Sequence, residues 1–432
     1  MSKNIGMIIG LFAVFCIYLL SWLGGDVNGP TVLGLRAEFL LFALTLIGVA
    51  LFHHHVLEVA LSGLVSILIL KFAFVPEFNI IHHLGHEWEI LVNLLGLLLG
   101  FALLAKHFEE SHVPDLLPKY LPNGWMGGFV LLCMVFVISS FLDNIAAAMI
   151  GGTIALVVFK GKVDIGYLAA IVAASNAGGS GSVVGDTTTT MMWIDGVAAP
   201  DVLHAYAAAV PALLIFGFFA AKQQHAFQPI QSDAKPGVKI EWNRILIVFL
   251  ILVGAILTNV YLDFPAVGVW LAILLGATFS KTPWGEIPPA FKGSIFLLSL
   301  VMCASMMPVD QLPPASWISA LVLGFVSAVF DNIPLTKLAL DQGGYDWGFL
   351  AYAVGFGGSM IWFGSSAGVA LTNMFPQAKS VGAWLKHGWH VTAAYIIGFF
   401  ILLVIAGWHP HAPHRAEHQT TAPAEAPAEA GH

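Results

Sequence analysis

Apolar runs close to the length of a membrane crossing recur from one end of this chain to the other, at 5–24, 56–76, 89–105, 124–142, 204–221, 245–262, 264–280, 317–330 and 389–407. A helix needs about 20 residues to cross a ~30 Å hydrocarbon core. A 432-residue chain that is 58% hydrophobic and 10% charged also carries far more apolar surface than one soluble core can enclose. The sequence therefore predicts an all-α integral membrane protein with about eleven to thirteen hydrophobic segments. Several of these are too short to span, and irregular backbone at membrane depth persists only when buried in protein or set against a wet cavity. Short, glycine-broken segments in corresponding places point to hairpins and unwound helices, a pattern of transporters more than of receptors.

Charge and cysteine content set limits. The net charge of −8 comes partly from the C-terminal Glu417, Glu425 and Glu429, and no basic patch suggests nucleic acid. Cys16, Cys133 and Cys303 are odd in number, far apart and in apolar segments, which reads as buried thiols rather than a disulfide or metal framework. Lys3 precedes the run 5–24, but no small-residue cleavage site follows it, so this run reads as a first transmembrane helix and not a signal peptide. The expected organisation is N-terminal transmembrane helices over 1–80, a first repeat over 81–221, a polar Pro/Gly-bearing connector over 222–244, a second repeat over 245–407, and a disordered tail rich in His, Ala, Pro and Glu over 408–432. The five tail histidines read as solvated rather than metal-binding.

The case for two repeats rests on a costly arrangement that occurs twice. Ser139-Ser140-Phe141-Leu142-Asp143-Asn144 is followed by Asn176-Ala177-Gly178-Gly179 and then Gly185-Asp186-Thr187-Thr188-Thr189-Thr190. Ser327-Ala328-Val329-Phe330-Asp331-Asn332 is followed by Gly357-Gly358-Ser359 and then Gly364-Ser365-Ser366-Ala367-Gly368. The two Asp-Asn pairs lie 188 positions apart. A carboxylate at membrane depth costs several kcal/mol unless it meets water, a partner or an ion. Finding it twice in matching context predicts one site assembled from two halves.

The donor types limit what such a site can hold. Carboxylate, amide and hydroxyl oxygens suit small hard cations, and no soft ligand favours a thiophilic metal. Ser359 and Asn373 add oxygens in the second half. Arg36, Arg244 and Arg415 are the only arginines, all outside the half-sites, which weakens an organic-anion reading without removing it, because helix N-termini hold anions unaided. Bland readings stand beside each motif. A single Asp-Asn is as often an N-cap, paired glycines let helices pack closely, and threonines bond back to preceding carbonyls. No nucleophile–base set or metal cluster supports an enzyme.

The string from Asn176 through Gly185-Asp186-Thr187-Thr188-Thr189-Thr190 to Ile194 closely resembles the signature of the NhaD-type sodium/proton antiporter family, within the broader ion transporter superfamily that includes arsenite permeases and dicarboxylate/sodium symporters. The resemblance extends to Leu142-Asp143-Asn144, Asp331-Asn332, the stretch from Gly364 to Ala370 and, more loosely, His83, His86, Glu87 and Glu89, and covers most of 80–407. It departs at Ser180–Val184, which replaces a bulkier, aromatic-containing segment, and at Thr187, where Val is more usual; both changes would widen the cavity. The fold implied is that of the superfamily: two inverted repeats, each with a re-entrant hairpin tipped by Asp-Asn and a helix broken at the glycines.

The activity implied is exchange of Na+ or Li+ for protons by alternating access, with no cofactor, in a bacterial inner (cytoplasmic) membrane and as a homodimer. Asp143 and Asp186, helped by Asn144, Asn176, Thr187 and Thr188, would hold the ion when ionised and release it when protonated. Asp331, Asn332, Ser365 and Ser366 would complete the cage. His83, His86 and His204, near segment ends, are candidates for pH sensing, against the plain alternative of solvated interfacial histidines. The rival reading is a sodium-coupled carrier of citrate-like carboxylates or arsenite on the same fold.

Overall fold

The computed structural model describes residues 25–26, 29–32, 34–52, 55–231 and 239–411. The expected first transmembrane helix over 5–24, Cys16, the middle of the connector and nearly all of the tail lie outside the described residues.

Apart from three strands of two to four residues (β1, Gly25–Asp26; β2, Gly29–Val32; β3, Leu35–Arg36) paired antiparallel in the order β1-β2-β3, the described regular structure is helical. Helices α1 (Ala37–Leu51) and α2 (Val56–Phe74) precede α3 (Ile80–Glu110). The first motif set occupies α4 (Trp125–Ser139), α5 (Asn144–Val158), α6 (Ile165–Gly179) and α7 (Thr187–Ile194), closed by α8 (Tyr206–Phe227). After α9 (Trp242–Leu262), α10 (Pro265–Gly276) and α11 (Ile287–Ser305), the second set follows as α12 (Trp317–Ser327), α13 (Asn332–Gln342), α14 (Trp347–Gly357) and α15 (Ser366–Met374). Helices α16 (Val381–His387) and α17 (Trp389–Ile405) meet at Gly388 with a 62° bend.

Helices α2, α3, α9 and α11, and α8 with the short turn before it, are long and apolar enough to cross a bilayer, whereas α4–α6, α12 and α14 are apolar but shorter. Outward side chains such as Tyr261, 78% exposed, and Val404, 85% exposed, belong against lipid. The protein is an integral membrane protein.

Helix α3 begins nine residues before the apolar run 89–105, and its first turns are mostly exposed. Asn79 caps it, and Glu87, with its side chain only 4% exposed, is neutralised by Lys337 of α13.

The two motif sets fold alike down to single atoms. Ser139 at the end of α4 donates its hydroxyl to the Ser175 carbonyl at 2.5 Å, and Ser327 at the end of α12 does the same to Val354 at 2.7 Å. A Cβ on Gly178 would collide with the Phe136 carbonyl, and one on Gly357 with the Gly324 carbonyl. Those glycines therefore serve close helix packing, as small residues do in membranes. The chain breaks after them, at 180–186 and 358–365. Each break folds back on itself: a Cβ on Gly179 would lie 2.7 Å from the Gly185 carbonyl, and one on Gly358 would lie 2.8 Å from that of Gly364.

The sets also interlock. Helix α5 packs on α15 of the other set, and α13 packs reciprocally on α7, while α6 faces α14 across the middle. A two-fold exchange of the sets swaps the first two of these contacts and maps the third onto itself. The large core runs from α3 to α17, and a smaller one joins α1 and α2 to α11.

Candidate functional site

Four helix N-termini converge where the hairpin tips meet the breaks, and each is capped by a residue that the sequence singles out. Asp143 accepts from the Ile145 N–H at the start of α5, and Asp331 from the Ile333 N–H at the start of α13, both at 3.1 Å. Asp186 accepts from the Thr188 N–H at 3.3 Å at the start of α7. Its counterpart 179 positions on, Ser365, accepts from the Gly368 N–H at 3.3 Å at the start of α15. These side chains are N-caps, as the bland reading had it. They are also gathered into one cluster.

Asn144 reaches from the hairpin tip to the broken helix, donating to Asn176 Oδ1 at 3.1 Å and to Asp186 Oδ1 at 3.3 Å. Asn176 in turn crosses to the other repeat, donating to the hydroxyls of Ser359 at 2.9 Å and Ser365 at 3.1 Å. Thr187 stands within reach of the Asp143 carboxylate, and the equivalent Ser366 donates to Asp331 Oδ2 at 3.4 Å. Asp186 lies within electrostatic reach of both Asp143 and Asp331. It is 2% exposed and Asn176 is fully buried, while the tip residues Asp143 and Asp331 are half-buried.

Three polar atoms in this cluster are buried without a hydrogen-bond partner among the described residues: Asp186 Oδ2, Thr188 Oγ1 and Asn332 Nδ2. Buried polar groups are nearly always satisfied, so a ligand, ion or water is the natural complement. The other threonines have a structural job. Thr189 donates to the Ser182 carbonyl at 2.6 Å and Thr190 to that of Val183 at 2.8 Å, pinning the break to α7.

The space that the small segment Ser180–Val184 was expected to leave open is partly taken by Tyr206. A Cβ on Gly181 would lie 2.6 Å from its ring, and its hydroxyl donates to the Gly178 carbonyl at 2.9 Å. An aromatic ring from α8 stands in for one absent from the break.

Not every expected residue joins. His83 shares a hydrogen bond with Ser305 at 2.9 Å, His86 is an exposed neighbour of Glu87, and His204 is paired with Asp346 at 2.7 Å. Among the described residues, none of these partners belongs to the carboxylate cluster. Asn373 accepts from Lys379 at the surface. Neither described arginine is near: Arg36 is paired with Glu38, and Arg244 with Glu110.

The structure adds a buried charge cluster that the motifs did not flag. Lys337, its side chain 1% exposed on α13, meets Glu87 of α3 at 3.0 Å and Asp341 at 2.6 Å. The i, i+4 spacing of Lys337 and Asp341 within an apolar helix was its one legible sign. At the equivalent positions the first repeat has Met149 and Thr153.

No protein-family model matches the chain. Sodium/proton antiporter 1 of Arabidopsis thaliana is 25% identical over 378 residues, covering 77% of this chain and 64% of that protein, so the chain spans just under two thirds of this relative's length. The Na(+)/H(+) antiporter NhaD of Alkalimonas amylolytica is 26% identical over 66% of this chain and 68% of its own length. The protein of the same name from Vibrio cholerae is 26% identical over 75% of this chain and 79% of its own length.

Proposed function

We propose that this chain, a relative of the NhaD-type sodium/proton antiporters, exchanges Na+ or Li+ for protons across its membrane, with Asp143, Asp186 and Asp331 carrying cation and protons in turn. The observation that carries the reading is the charge of the cluster. Four helix N-termini contribute roughly +0.5 each, about +2 in all. Three carboxylates set against them leave the site short by about one positive charge, which a single monovalent cation or proton supplies. The two therefore compete for one place, and competition for a site exposed alternately to each side is exchange.

The chemistry of each group follows. Asp186 is the most deeply buried of the three carboxylates, and its free Oδ2 is a hard ligand for a dehydrated Na+ or Li+. The buried Thr188 hydroxyl, beside the Asp186 carboxylate, offers a second oxygen on the same turn. Asn144 holds Asp186 Oδ1 and, through Asn176, links it to Ser359 and Ser365, so the carboxylate is oriented before the ion arrives. Asp143 and Asp331, half-buried at the tips, are the stations nearer water. The same capping argues against an anion as cargo, since three of the four N-termini that would hold it are occupied by the protein's own carboxylates.

The test is reconstitution into proteoliposomes with an internal pH dye. The expected result is Na+- or Li+-dependent proton movement that is lost in Asp186→Asn at normal membrane abundance. Uptake of a citrate-like anion without Na+-dependent proton movement, or full activity in Asp186→Asn, would overturn the reading.

A further inference from the structure

The near-identity of the two repeats makes one break in their symmetry informative. Asn176, which ties Asn144 to the second repeat, has Gly355 as its counterpart 179 positions on. In the first repeat the Asn144 amide is satisfied by Asn176 Oδ1. In the second, residue 355 has no side chain to play that part, and the equivalent Asn332 amide nitrogen is buried without a partner among the described residues. Gly355 also faces the first repeat. A Cβ built on it would stand 3.2 Å from Asp186 Oδ2, 3.7 Å from Ser180 Cβ and 3.9 Å from the Asn176 carbonyl. Its φ is not in the left-handed region, so its backbone conformation does not require glycine.

We propose that the missing side chain at position 355 is what makes room for the transported cation, which sits against Asp186 Oδ2, and that the residue at 355 sets the size of ion accepted. This rests on the cation reading above and deepens it. The seat is asymmetric: its one charged ligand comes from the first repeat, and its floor is a bare stretch of α14 in the second. Asn332 is the neighbour best placed by symmetry to complete it, because its amide can turn to present oxygen in place of nitrogen. A methyl group at 355 crowds the carboxylate on the side where the ion would lie. An asparagine there recreates the first repeat's arrangement and fills the seat.

The experiment compares wild type, Gly355→Ala and Gly355→Asn in proteoliposomes, titrating Na+ and Li+ separately, with equilibrium binding of radioactive Na+ to the detergent-purified proteins. Gly285→Ala, where a Cβ meets nothing within 4 Å, is the control. Gly355→Ala is expected to raise the apparent KM for Na+ on the order of tenfold, and that for the smaller Li+ distinctly less, shifting preference toward Li+. Gly355→Asn is expected to be recovered folded and to bind no Na+. If Gly355→Ala is not recovered as a monodisperse protein, Gly355→Ser is read by the same selectivity ratio. Unchanged KM values in Gly355→Ala, or an equal rise for both ions, overturn the inference while leaving antiport standing. Wild type that moves no protons in response to either ion overturns the underlying reading, and this inference with it.

Discussion

Lys337→Met should destabilise this protein severely, and the structure says how the damage can be undone. The Lys337 ammonium lies 3.0 Å from Glu87 and 2.6 Å from Asp341, with only 1% of its side chain exposed. At an effective dielectric of about 20, each contact is worth roughly 5 to 6 kcal/mol before desolvation is counted. Removing the lysine leaves Glu87, its side chain 4% exposed, beside the exposed His86, with His83 and the like charge of Asp341 also within electrostatic reach. Breaking a buried pair from one side costs about 3–5 kcal/mol, a fall in Tm on the order of 10 °C. Removing all three charges together is a different perturbation, because neither Glu87 nor Asp341 is left behind as an uncompensated ion. Lys337→Met combined with Glu87→Gln and Asp341→Thr gives α13 the residues that the first repeat has at Met149 and Thr153. It should return to within about 1–2 kcal/mol of wild type. Thermal unfolding of the detergent-purified variants, followed by intrinsic tryptophan fluorescence, measures both. A single variant melting with wild type, or a triple variant no better than the single, would refute the reasoning.

Two further outcomes are expected. Gly178→Ala and Gly357→Ala each drive a methyl into a carbonyl of the neighbouring helix, at Phe136 and Gly324 respectively, so both should lose about 1–3 kcal/mol or more and fall in folded yield together; size-exclusion recovery reads this, and tolerance at one site but not the other would contradict the matched packing. If cation and proton share the carboxylates, acidification should raise the apparent KM for Na+ by up to about tenfold per pH unit while leaving the maximal rate at saturating Na+ much less affected; a KM flat between pH 6 and 9 would count against competition.

The tips and breaks were readable because each is chemically out of place in an apolar segment. Asp143, Asp186 and Asp331 needed a reason to be there, and that reason brought their neighbours Asn144, Asn176 and Asn332 with them. What could not be read was pairing across the fold. Glu87 and Lys337 are separated by 250 positions, and nothing local to either foretells that they meet. Ser359 looked like one more hydroxyl after a glycine pair, and its bond to Asn176 spans the two repeats. Gly355 carries no chemistry at all; its meaning comes from what stands opposite, which only coordinates reveal. The glycine pairs were ambiguous for a physical reason, since close packing and helix breaking both favour the same residue. Here Gly178 and Gly357 do the first, and the segments just after them do the second.

The hydrogen bonds from Asn176 to Ser359 and Ser365 have a mechanical meaning. They staple one repeat to the other at the point where the carboxylates gather, and α5 on α15 and α13 on α7 fasten the same seam from both flanks. Prising the halves apart like a clam would tear several buried polar contacts at once. Moving both together leaves every one of them intact, so at this seam the two sets behave as a single rigid block.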